Sequence, residues 1–295
     1  MKDEELFQIV GIRKNRTERP PSGLRTGKVP VISIAVLGVI VLGCLLADVI
    51  AVRDPSYMDL MHCTQAPDRE FWFGTDTLGR DLFSCIWHGG RLSVSIGILA
   101  TLISTGIAVI FGAVSGTASD WIDTLMMRFT EIFLSVPTLL LIIFIQAILG
   151  EATIFSIAFV IGITSWCSIA KVVRTEVRQI RKSEYVTASR CMGGGFFHVL
   201  WHHLAPNFIS SIMFMVIMNV RAAIVAESTL SFMGMGLPLE VISWGSLLSE
   251  SERALMTRAW WIILIPGLFL IAFLLSMTQI GNWMRRSANR KERNI

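Results

Sequence analysis

The feature that most constrains this chain is a series of apolar windows long enough to cross a lipid bilayer as helices. They fall at about 30–50 (PVISIAVLGVIVLGCLLADVI), 92–117, 124–149, 153–171, 208–228 and 260–284. A hydrocarbon core about 30 Å thick takes roughly 20 residues at 1.5 Å each. No water is present there to satisfy peptide groups, so each window must close its own hydrogen bonds as a helix. The expected fold class is therefore an all-α membrane protein with six transmembrane helices. Composition agrees, with 53% hydrophobic residues, 16% charged and a mean hydropathy of +0.61. A soluble domain carries roughly a quarter charged residues. Pro137 in the third window and Pro266 in the sixth predict kinks, tolerable where neighbouring helices re-satisfy the backbone. Gly97, Gly106, Gly112 and Gly116 in the second predict close helix packing.

Basic residues set the direction of the spans. They gather in the leading arm (Arg13, Lys14, Arg16, Arg19, Arg25, Lys28), after the fourth window (Lys171, Arg174, Arg178, Arg181, Lys182, Arg190) and in the tail (Arg285, Arg286, Arg290, Lys291, Arg293). Six spans place all three clusters on one side, the cytoplasm, with both termini inside. The resulting division is an arm at 1–29, a first span at 30–50, an external loop at 51–91, a five-helix core at 92–284 and a tail at 285–295. The polar first 28 residues and the long first window leave no cleavable signal peptide in the reading. The net charge of +4 is too small to suggest nucleic acid. Cys44, Cys63, Cys85, Cys167 and Cys191 lack metal-site spacing, and only Cys63 and Cys85 share an external loop, as a bridged pair or two unrelated thiols.

The segment 172–207 is a long cytoplasmic loop for a compact bundle. Its first part, KVVRTEVRQIRKSEY, continues the fourth helix past the membrane, and EYVTASRCMGGGFFHVLWHHLAPN follows. Small residues at Thr187, Ala188 and Ser189 let another surface approach the backbone. Gly193, Gly194 and Gly195 supply a sharp turn, and Pro206 suits the first turn of the fifth span. A helix presented to a cytosolic protein and an ordinary interfacial helix both fit this pattern. His198, His202 and His203 have no carboxylate or thiolate at ligand spacing and read as a solvated or docking face. Met61-His62-Cys63, outside, is a faint hint of a soft or borderline metal such as nickel. Arg128 and Glu131, three apart on the third window, read as a buried structural ion pair.

Three stretches carry a resemblance. Thr187-Ala188-Ser189, Gly193 and Pro206 keep the spacing of the Glu-Ala-Ala, three residues, Gly, nine residues, Ile-x-Leu-Pro pattern of bacterial ABC importer permeases. Thr187 replaces the acid, Ser189 the second alanine, and His203 and Ala205 the apolar pair. FGTDTLGRDLFS (73–84) with GGRLSVSIG (89–97), and ESTLSFMGMGL (227–237) with Ser243-Trp244-Gly245, are similar to the dipeptide/oligopeptide/nickel group. The chain most resembles the C-type permease subunit of that group. The basic ending GNWMRRSANRK departs from the acidic ending usual there.

The resemblance implies a type I importer permease fold with a coupling helix within 184–207, its ATPase-coupling residues being Glu184, Thr187, Ala188, Ser189, Gly193 and Pro206. It implies a sister permease, two ATPase subunits, an external substrate-binding protein and a bacterial cytoplasmic membrane around them. ATP and Mg²⁺ would sit on the ATPase subunits, with no cofactor in this chain. The only Gly-Lys, Gly27-Lys28, is followed by Val29-Pro30 and cannot form a phosphate-binding loop. Ionisable groups within spans default to functional candidates, and in this family the fifth span lines the central path. Asn219 and Arg221, deep in that span, and Glu227, near its outer end and within reach of water, are the candidate path residues. The expected cargo is small peptides, with nickel or a chelated metal as the alternative. A non-transport membrane scaffold or sensor is more remote, and no nucleophile–base pair suggests an enzyme.

Overall fold

A computed structural model describes residues 29–181, 205–238 and 240–292. In chain order the helices are α1 (Val31–Leu45), α2 (Ala47–Ile50), α3 (Leu82–Thr117), α4 (Asp120–Ser135), α5 (Thr138–Leu149), α6 (Ile154–Arg181), α7 (Ala205–Phe232), α8 (Trp244–Ser249), α9 (Ser251–Met256) and α10 (Trp260–Glu292), with a 3-10 turn at Leu60–His62. Among the described residues the extended pairing is a single bridge between Thr75 and Asp81. The all-α expectation holds.

All six windows are helical, but they are not six equal spans. α3, α6, α7 (over Ile212–Phe232) and α10 are each long and apolar enough to cross a membrane. The third window is broken rather than kinked, because α4 and α5 meet at 88°. Pro137 has no N–H to donate and its ring disfavours helical backbone at the residue before it. Val136 accordingly turns extended, with φ −87° and ψ 131°. The first window is divided as well. α1 has 15 residues and α2 continues it for 4 more beyond Leu46.

α3 begins at Leu82, inside what the sequence reading assigned to the external loop 51–91. The Asp81 side chain accepts a hydrogen bond from the Ser84 amide at 3.0 Å, which caps the helix ten residues before the apolar window opens. At 36 residues α3 is about 54 Å long and projects well beyond a hydrocarbon core. α6 likewise runs on to Arg181, as its basic continuation predicted.

α3 and α6 form the central seam. Ala108, Gly112 and Gly116, four apart on α3, are buried against Ala170, Val173 and Val177 of α6. A Cβ on Gly112 would sit 2.6 Å from the Ala170 carbonyl oxygen, so only glycine allows this approach. Lipid tails are as apolar as leucine, and close van der Waals packing of small residues is what draws such helices together.

Polar ties fasten the two ends. At one end Arg80 Nε reaches Asp76 Oδ2 at 2.5 Å and its Nη2 reaches Glu250 Oε1 at 2.5 Å, all three side chains being buried. Thr77 Oγ1 donates to Glu250 Oε2 at 2.6 Å, and Trp261 Nε1 donates to the Thr75 carbonyl at 3.1 Å. Burial, with the charge of Asp76 adding to it, pushes the Glu250 carboxyl above its ordinary range. Gly79 (φ +76°) makes the turn against Asp59, where a Cβ would fall 1.8 Å from a carbonyl oxygen. The FGTDTLGRDLFS stretch is thus a cap that clamps the start of α3 to the segment joining α8 and α9.

Candidate functional site

Of the expected coupling residues, Glu184, Thr187, Ala188, Ser189 and Gly193 lie outside the described residues, as do His198, His202 and His203. Pro206 falls in the first turn of α7. On its near side, α6 ends at Arg181 in a network the sequence reading missed. Asp123, near the start of α4, is buried and receives Arg174 through Nε at 2.5 Å and through Nη2, Arg178 at 2.9 Å and the Ser115 hydroxyl at 2.6 Å. Arg178 also reaches Asp120, and Arg181 Nη1 donates to the Thr117 carbonyl at 2.9 Å. The end of α6 is therefore tied to the α3–α4 turn. The signal was available in the aspartates of SDWID and the arginines spaced along α6, but not which would meet.

The α4–α5 bend opens a cavity of about 630 Å³. Leu134, Thr138 and Ile142 beside the bend form one wall, hydroxyl-bearing Thr164, Ser165 and Ser168 of α6 another, and α7 the third. α7 turns a single face to it, with Met218, Ala222, Val225 and Thr229 recurring at helical spacing and Arg221 beside them. Both Asn219 and Arg221 lie on this lining. Asn219 Nδ2 donates to Ser104 Oγ at 2.5 Å, so it also braces α7 on α3. Arg221 has no such brace. Its Nε is enclosed without a hydrogen-bond partner, and among the described residues nothing pairs with its guanidinium. On insertion scales a cation at mid-membrane costs about 2.5–3.5 kcal/mol, which water or an anion must offset. The volume lies in the range of pockets that enclose small-molecule ligands. The hydroxyls of the TSWCS stretch in α6 were a legible polar cluster inside an apolar window that the sequence reading did not use.

Glu227 corrects the expectation placed on it. It does not face water near the outer end of its helix and is not on the cavity lining, being fully enclosed at 0% exposure. Ser93, Ser231 and Ser243 donate to its carboxylate at 3.0, 3.0 and 2.8 Å, and Ser93 Oγ also receives the Trp244 amide at 3.1 Å. Glu227 therefore joins α7 to α3 and to the capped start of α8. Arg128 and Glu131 do pair, at 2.8 Å, but on an exposed face rather than buried. Met61-His62-Cys63 is not gathered for a metal. Met61 is 89% exposed, while the His62 ring is held by Asp59 at 2.8 Å. Cys63 and Cys85 are both free thiols.

Comparison with known proteins places this architecture. Residues 108–291 match the family described as binding-protein-dependent transport system inner membrane component. An oligopeptide transport system permease protein, OppC of Bacillus subtilis, is 33% identical over 269 residues, 91% of this chain and 88% of the relative. A dipeptide transport system permease protein, DppC of the same organism, is 34% identical over 77% of this chain and 71% of its own. A putative peptide permease protein of Brucella suis is 34% identical over 78% and 76%. With its helical spans and the extent of these matches, the chain belongs to the family of inner membrane components of binding-protein-dependent transport systems.

Proposed function

We propose that this chain is the permease subunit of an ATP-driven importer that carries small peptides across the cytoplasmic membrane by alternating access. The observation that carries this reading is the similarity to an oligopeptide permease over 91% of the chain. The chain works beside a sister permease, on two ATPase subunits that hold ATP and Mg²⁺, beneath an external substrate-binding protein and within bacterial membrane lipid. It performs no catalysis itself, and both termini lie in the cytoplasm. The loop-and-core division at 30–50, 51–91, 92–284 and 285–295 is the working layout, with α3 reaching outward into the second of these. Nickel gains no support, since His62 is occupied by Asp59 and the relatives named above are peptide permeases.

The tie at Asp123 supports a mechanical route. The segment 184–207, with Glu184, Thr187, Ala188, Ser189, Gly193 and Pro206, docks on an ATPase subunit and moves as nucleotide closes the ATPase pair. Because α6 is held to the α3–α4 turn by Arg174 and Arg178, that movement carries α3, the start of α4 and α6 together. The break at Val136–Pro137 lets α5 change its angle, which alters the cavity that Asn219 and Arg221 line. Glu227 stays in its serine cage as a structural fastener. Such a switch needs two packed states whose balance nucleotide shifts.

Reconstitution in proteoliposomes with the sister permease, ATPase subunits and binding protein tests the reading. Uptake of a radiolabelled peptide that requires ATP and binding protein is the expected result. Uptake of Ni²⁺ with no uptake of peptides would replace the peptide reading.

A further inference from the structure

Among the described residues the cavity holds one cation with nothing to neutralise it, and we infer that Arg221 receives the carboxylate of the passing substrate, so that this cavity selects anionic ends. The inference rests on the peptide reading above and adds the chemistry of recognition to it. Arg221 projects from the α7 face that lines the cavity, between Met218 and Ala222. Its Nε is enclosed and unpartnered, and no carboxylate is paired with it among the described residues. The remaining lining is apolar (Leu134, Ile142, Val225), hydroxyl-bearing (Thr164, Ser165, Ser168) or the neutral amide of Asn219, none of which neutralises a charge.

The carboxylates of α7 and of the second half of α4 are already committed. Glu227, two turns further along α7, is surrounded by serine hydroxyls and turned away from the cavity. Glu131 is held by Arg128 at 2.8 Å. A guanidinium left free in a low-dielectric recess offers a planar fork matched to a carboxylate. A free-acid peptide brings one such group at its C-terminus, which its amide lacks. Asn219, braced on Ser104, holds α7 in register so that the fork stays on the cavity side.

The test compares uptake of one labelled tripeptide as free acid and as C-terminal amide, in proteoliposomes carrying the complete transporter. Any preference imposed by the external binding protein is common to all variants, so the informative quantity is the change in the acid-to-amide ratio. Arg221→Met should lower the acid-to-amide uptake ratio by about tenfold or more, the loss expected for a charge-assisted hydrogen bond. Arg221→Lys should keep an intermediate ratio, because a point charge replaces the fork. Co-purification with the sister and ATPase subunits confirms assembly, and if the Met variant fails to assemble the Lys variant carries the comparison. A ratio unchanged in both variants overturns the inference. An equal loss of both peptides overturns it too and assigns Arg221 a structural role. No uptake of either peptide by the unaltered transporter instead refutes the peptide reading on which the inference stands.

Discussion

A pair of alanine substitutions on one helix tests whether the α3–α6 seam is set by backbone contact. Gly112 and Gly106 both lie in α3, so each gains the same intrinsic helix preference on becoming alanine, about 1 kcal/mol. They differ in what the added methyl meets. At Gly112 it would sit 2.6 Å from the Ala170 carbonyl oxygen and 2.8 Å from the Val173 Cβ, while at Gly106 there is nothing within 4 Å. Neither obstacle at Gly112 is the tip of a flexible side chain. α3 and α6 must therefore part by several tenths of an ångström along a seam that also holds Ala108 and Gly116. Overpacking of this kind costs about 1–3 kcal/mol. Subtracting the two variants removes the propensity gain and leaves that cost, so Gly106→Ala should be the more stable by about 1–3 kcal/mol. The assay is the apparent unfolding midpoint of the purified protein in detergent at a fixed heating rate. If Gly112→Ala melts at or above Gly106→Ala, the seam is not held by backbone approach.

Three further outcomes follow from the ends of the bundle. Arg80→Met leaves Asp76 and Glu250 facing each other without their cation, where side-chain exposures are 0% and 6%, and removing one partner of such a pair should cost about 3–5 kcal/mol, read as a lowered unfolding midpoint; an unchanged midpoint would mean the cap at the start of α3 is not held by charge. Gly193→Asp should abolish peptide uptake and the stimulation of ATP hydrolysis while the subunit still inserts, and survival of both activities would remove 184–207 as the coupling element. A cysteine at the exposed Ser56 should react with membrane-impermeant maleimide from outside, whereas one at Ser183 should react only once the cytoplasmic face is opened; the reverse pattern would invert the topology.

How much of this was legible depends on which physical constraint wrote the signal. The bilayer demands long apolar helices, so the windows of α3, α6, α7 and α10 were plain in the sequence. Outside hydrocarbon that demand lapses: Leu82, Cys85 and Ile86 repeat at helical spacing in the first turns of α3, but His88 and Arg91 interrupt the run before the long window opens. Asp81 was the readable mark there, because a capping side chain acts over two or three residues. Pro137 announced a disturbance but not its size, since the angle between α4 and α5 is set by what packs on either side. Depth along a span could be counted from sequence, which is why Asn219 and Arg221, both on the cavity lining, were singled out. Azimuth could not, which is why Glu227 was misplaced. Its cage is assembled from Ser93 on α3 and Ser243 before α8, and no local pattern links those positions.

The contrast between Glu227 and Arg221 also separates structural from functional charge more sharply than depth does. Both lie on α7, six positions apart, and both put an ionisable group where it is costly. Around Glu227 the fold supplies hydroxyls from three directions, and those bonds fasten α7, α3 and α8 to one another. The charges at the two ends are answered in the same way, Arg80 by Asp76 and Glu250, Asp123 by Arg174 and Arg178. A fold that compensates these groups so thoroughly gains nothing in stability from leaving a guanidinium unanswered on a cavity wall. Among the described residues Arg221 receives no such answer, and on the inference above its compensation comes as water between transport events and as an anion during them. That difference, more than its position along the helix, makes Arg221 the residue through which the cavity is best tested.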